Sequence, residues 1–185
     1  MVSGVFQPAV AIVLFLGVVA LAHRRVEPSL YAAFWLAALP GAWLAGGMRL
    51  GLFHDPDLGS LAERRIFLPG AALAVAVGAV LSYTPWAVFP VPSYIRMVMT
   101  AVAIWLGISA AVSQVWKISP HEGATLGILL LAAVAFGVGA ALVLSWTPVL
   151  VGWARLRLRK HDAWQLAGGA AVAVFSVWSA SLLSR

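Results

Sequence analysis

Apolar runs alternate with short polar breaks along the whole chain, and most of the runs approach the roughly 20 residues that a helix needs to cross a bilayer. Val5 to Ala22 is the first run, closed by His23-Arg-Arg-Val-Glu-Pro28. Ser29 to Phe53 is the second, where Pro40-Gly41 offers a kink that neighbouring helices can tolerate. A polar loop from His54 to Arg65 leads to a third run, Ile66 to Tyr83. Thr84 to Ser93 is a proline-rich turn with interfacial aromatics, and Tyr94 to Trp116 is the fourth run. After Lys117-Ile-Ser-Pro-His-Glu122 the fifth reaches about Leu144, and Ser145-Trp-Thr-Pro148 turns the chain. A shorter sixth helix runs from Val149 into a basic stretch, and the seventh spans Ala163 to Leu183. The pattern predicts an all-α, polytopic membrane helix bundle of six or seven transmembrane helices, folded as a single domain over residues 1–185.

Composition strengthens this reading. Hydrophobic residues make up 63% of the chain and charged residues 10%, against about 25% charged in ordinary soluble domains. The expected location is therefore an integral, multi-pass position in a membrane, the cell membrane first. Arg24 and Arg25 follow the first run and do not precede it, which favours a retained helix over a cleaved signal peptide. With no cysteine, thiolate catalysis and cysteine metal sites are excluded. The formal charge of +6 flanks membrane spans, so anionic head groups or a phosphorylated lipid are the expected partners, and nucleic acid is not.

The crossings place the polar breaks. The loop ending at Arg65, the break at Ser119–His121 and the stretch Arg155–His161 are separated by two spans each, so all three fall on one side of the membrane. Charge between hydrophobic spans is costly and points to function. In the last stretch, Arg155 is followed by five residues and His161, and Gln165 lies four beyond. Leu166-Ala-Gly-Gly169 follows.

That spacing resembles the third signature of the type-2 phosphatidic acid phosphatase superfamily, S-R-x5-H-x3-D ahead of a glycine-rich helix. Here Ala154 replaces the serine and Gln165 the acid. Ser119-Pro-His121 is similar to the family's P-S-G-H, with Pro120 in place of the glycine. The first signature, K-x6-R-P, keeps only an arginine. Taking Arg65 puts Leu58 at the lysine position, and taking Arg64 puts Asp57 there. The resemblance covers about residues 54–180.

The resemblance implies roles. His161 is the nucleophile that forms a phosphohistidine, and His121 protonates the leaving alcohol. Arg65, Lys117, Ser119 and Arg155 bind the phosphate oxygens, where stabilising the developing charge does most to lower the barrier. Gln165 orients the His161 ring through its carbonyl. No cofactor and no metal is expected, and the sequence offers no carboxylate–histidine cage. The implied reaction is hydrolysis of a phosphate or diphosphate monoester of a lipid, of isoprenoid diphosphate or phosphatidate type.

Plainer readings stand beside these. Ser119, Pro120 and Glu122 also spell a capping box for the fifth helix. The Arg155–Lys160 stretch is also a snorkelling cluster suited to anionic lipid. The functional alternative is a catalytically inactive member that binds lipid or serves as a scaffold subunit. A small transporter is disfavoured because the charges gather at one face and not at mid-bilayer.

Overall fold

The structure is a computed structural model that describes residues 8–85 and 90–184. Among the described residues, seven apolar helices make up the bundle: α1 (Pro8–His23), α2 (Glu27–Arg49), α3 (Leu61–Leu81), α4 (Ser93–Val112), α5 (Pro120–Phe136), α6 (Val138–Arg157) and α7 (Ala163–Leu183). The described residues contain no strand. All of these helices except α1 and α5 are long and apolar enough to cross a membrane, so the chain is an all-α membrane protein by length and composition.

Each helix is apolar on more than one face, as a lipid environment allows. In α1, Ile12, Phe15, Leu16 and Val19 are buried at helical spacing, while Leu14, Val18 and Leu21 face outward. In α3 the buried positions Arg64, Leu68, Ala71 and Val75 recur every three or four residues. α3 and α7 pack against α4, and α7 also packs against α5.

Three proline sites are absorbed without ending a span. Before Pro40 the helix widens into a π-helical turn over Phe34–Ala38, where Leu39 N–H reaches the Phe34 carbonyl. Pro69 lies inside α3. In α6, Pro148 cannot donate to the Leu144 carbonyl, and the Thr147 hydroxyl donates to it at 2.7 Å. The expected turn at Ser145–Pro148 is therefore not one: Ser145 is helical, with φ −60° and ψ −25°. The break falls at Gly137, whose φ of 86° and ψ of 174° suit a residue without Cβ. The fifth helix consequently stops at Phe136, not near Leu144, and the sixth is longer than the sequence suggested. The aromatic turn at 86–89 lies outside the described residues.

Glycines set the closest approaches. A Cβ on Gly169 of α7 would strike the carbonyl oxygen of Ser119, and one on Gly168 would meet Trp116 at 2.7 Å. A Cβ on Gly123 of α5 would meet Trp105 Nε1 at 2.6 Å and the Gly169 carbonyl at 3.0 Å. The Gly168-Gly169 pair thus lets α7 lie directly on the residues that open α5. Gly47 and Gly51 do different work: Gly47 seats the Phe53 ring, and Gly51, at φ 74°, ends α2.

Candidate functional site

The three polar breaks meet at one end of the bundle, and hydrogen bonds join them. Arg64, in the first turn of α3, donates from Nε to the Leu58 carbonyl at 2.8 Å and from Nη1 to the Ile118 carbonyl at 2.6 Å. Ser119 N–H donates to the Gln165 carbonyl at 2.9 Å, tying the start of α5 to the start of α7. Asp57 Oδ2 lies 3.5 Å from Arg155 Nη1, and Asp57 Oδ1 lies 3.9 Å from His121 Nε2.

Local sequence builds each piece. Ser60 caps α3, accepting from Glu63 N–H at 3.2 Å, and Glu63 in turn accepts from His54 N–H at 2.6 Å. The loop before it turns through Leu58 at φ 48°, a left-handed conformation uncommon outside glycine, and the Leu58 carbonyl is the one that Arg64 grips. α6 ends similarly. Arg159 sits at φ 51°, and Lys160 N–H closes back on the Arg155 carbonyl at 3.1 Å. This sharp exit delivers His161 to the turn before α7. Asp162 then caps α7 in a capping box with Gln165.

Gln165 therefore has two tasks. Its Oε1 is 2.9 Å from His161 Nδ1 and accepts from Asp162 N–H at 3.4 Å. With the oxygen on the ring, Nδ1 carries the hydrogen and Nε2 keeps its lone pair. His161 itself is in the turn, not on the helix, and the capping residue brings Gln165 back to it.

The sequence-predicted residues are placed as follows. His121 (5% exposed), Arg155 (4%), His161 (7%) and Ser119 (0%) are all buried at this end of the bundle. Lys117 is half-buried beside them. Arg65 is not part of the group: it is exposed, and the preceding residue, Arg64, is the one turned inward. Successive helical positions differ by about 100°, so only one of the pair can lie on the buried row that continues through Leu68, Ala71 and Val75. That row was visible in the sequence and selects Arg64. With Arg64 in the site, Asp57 takes the position that Leu58 held in the Arg65 register.

Ser119 is committed to structure. Its hydroxyl accepts from Glu122 N–H at 3.4 Å, and its own N–H goes to Gln165, so the reciprocal half of the expected capping box is replaced by a contact between helices. Trp116 packs one edge of its ring on Gly168 and exposes the rest, and Trp164 is more exposed still.

The electrostatics are strongly positive. Burial and the charges of Arg64, Lys160 and Arg155 hold the Lys117 ammonium below its ordinary range, with Asp55 opposing. Burial lowers the His161 imidazole to about 4; the hydrogen bond that its ring donates to Gln165 Oε1 works upward, and Arg64, Lys117 and Arg155 work downward. Both His121 ring nitrogens and Arg155 Nη2 are buried with no hydrogen-bond partner among the described residues. Buried polar atoms of this kind are costly when unsatisfied, and an anion's oxygens would answer Arg155 Nη2 and whichever His121 nitrogen carries a hydrogen. Among the described residues no group of three His, Asp or Glu side chains is arranged to hold a metal ion.

An apolar cavity of about 190 Å³ opens from this cluster into the bundle, with Asp57, Arg64 and His121 at its polar end. Comparison with family models, with curated proteins and with solved structures gives no match for this chain.

Proposed function

We propose that this protein is a membrane lipid phosphatase that hydrolyses a phosphate or diphosphate monoester of a lipid through a phosphohistidine. The observation that carries the reading is the gathering of two buried imidazoles with Arg64, Lys117 and Arg155 at one end of an apolar bundle. It agrees with the resemblance of Arg155–Gln165 and Ser119–His121 to the phosphatidic acid phosphatase signatures.

His161 Nε2 attacks phosphorus while Nδ1–H stays on Gln165 Oε1. A P–N bond forms, the bridging P–O bond breaks, and the leaving oxygen takes a proton from His121. Water then attacks phosphorus as His121, deprotonated by the first step, takes its proton; a new P–O bond forms, the P–N bond to His161 breaks, and phosphate leaves with both histidines restored. Arg64, Lys117 and Arg155 neutralise the phosphoryl oxygens in both steps. No metal enters this scheme.

The second reading, a lipid-binding member without catalysis, is favoured by one observation: Asp57 holds a carboxylate against Arg155 and His121 at the place where the resemblance implies a lysine. The discriminating assay is phosphate release by purified protein from polyprenyl diphosphate and from phosphatidate, with and without chelator. Release abolished by His161→Ala and by His121→Ala supports hydrolysis. Release that survives either change overturns the mechanism, and no release from any lipid phosphate, with binding retained, establishes the second reading.

A further inference from the structure

The cavity beside the polar cluster is walled almost wholly by apolar residues. α1, α2, α3, α4, α5 and α7 all contribute to its wall, and Leu68, Ala101, Leu131 and Val177 line it. Apart from Asp57, Arg64 and His121 at one end, no ionisable side chain among the described residues lines it. Along α5 it runs from His121 to Leu131, about 15 Å by helical rise, or half of the roughly 30 Å hydrocarbon core. A dry cavity of about 150 Å³ holds one benzene, so this slot of about 190 Å³ has room for a segment of one hydrocarbon chain and not for two side by side.

We infer that this slot takes the tail of a single-chain lipid phosphate or diphosphate, with its head at Arg64, Arg155 and His121. The inference rests on the anion-site reading of the cluster and narrows its substrate to lipids with one chain. A prenyl or linear alkyl chain places apolar surface against apolar walls and leaves the charged head among cations. A diacyl lipid has a second chain for which the slot has no room. Gly127 of α5 lines the slot, and a Cβ there would meet only Ala173 Cβ at 3.9 Å, so a larger side chain can enter the slot without striking a neighbouring helix at its base.

The test uses full-length protein in lipid nanodiscs and photoreactive lipid phosphates with a diazirine at the tail end, in single-chain prenyl, single-chain alkyl and diacyl forms. Single-chain probes should label Leu131, Ala101 or Val177 and the diacyl probe should not. Gly127→Leu should reduce slot labelling about tenfold, the loss of roughly two methylene contacts, with inorganic phosphate binding unchanged. Labelling confined to the outward-facing Leu73, Val80 and Val174 overturns the inference, as does equal slot labelling by the diacyl probe. These outcomes need only the unmodified protein, so a poorly folding variant does not block the test. Slot labelling that excess phosphate and Arg155→Ala leave unchanged would keep the tail site and remove the head-group reading instead.

Discussion

Asp57 and Arg155 face each other at 3.5 Å, the carboxylate from the loop before α3 and the guanidinium from the end of α6. Asp57 thereby occupies the ground an anionic ligand would use. Asp57→Asn should tighten phosphate or vanadate binding by about tenfold, since one charge repelling the ligand at contact range is removed. The same variant should unfold earlier in phosphate-free buffer, because Arg155 loses its counter-charge, and recover when phosphate is added. Isothermal titration and thermal unfolding in detergent, with and without phosphate, check both halves.

Arg64 and Arg65 are adjacent and should behave oppositely. Arg64→Lys leaves at least one of the two gripped carbonyls without its donor and should cost about 1.5–3 kcal/mol. Arg65→Ala changes an exposed side chain and should stay within about 0.5 kcal/mol of the parent. Equal losses from the two substitutions would contradict the placement of α3.

The His161 imidazole, at about 4 in the folded protein against an ordinary 6.5, gives a signed pH dependence. Between those values the unfolded chain binds the proton and the folded chain does not. This group's contribution to stability is therefore complete above pH 6.5 and is lost as pH falls through about 4. If His161 is the nucleophile, kcat/KM should hold on its acid side to near pH 4 and not decline at 6.5. Gln165→Glu should move that limb upward, because a carboxylate favours the imidazolium. Gln165→Leu should reduce the rate by about 10²–10⁴-fold by freeing the tautomer.

Gly169 and Gly127 make a second contrast. Gly169→Ala pushes a methyl into the Ser119 carbonyl and should cost about 1–3 kcal/mol while loosening the Ser119–Gln165 bond. Gly127→Ala adds only an ordinary contact with Ala173 and should be neutral or slightly stabilising. Melting temperatures of the two variants in one detergent decide the matter.

Much of this arrangement is legible in the residues. The apolar runs give the number and order of helices, because length and hydropathy alone decide whether a segment can span. The even number of crossings between polar breaks puts them at one end, where Arg64 and Asp57 reach across to the other two. Two readings fail for physical reasons. Pro148 looks like a stop signal, but Thr147 supplies the missing donor and the helix continues; Gly137, inconspicuous in a glycine-rich chain, makes the real break. Arg65 is selected by motif position, whereas Arg64 is selected by the phase of Leu68, Ala71 and Val75. The slot is not legible at all, since it arises where six helices fail to close on one another.

The two carbonyls held by Arg64 belong to Leu58 and Ile118, 60 positions apart in the numbering but served by one side chain. Loss of either bond frees the shared guanidinium to move and so weakens the hold on the other segment. In deuterium exchange the loop ahead of α3 and the entrance to α5 should accordingly lose protection together, as one cooperative opening.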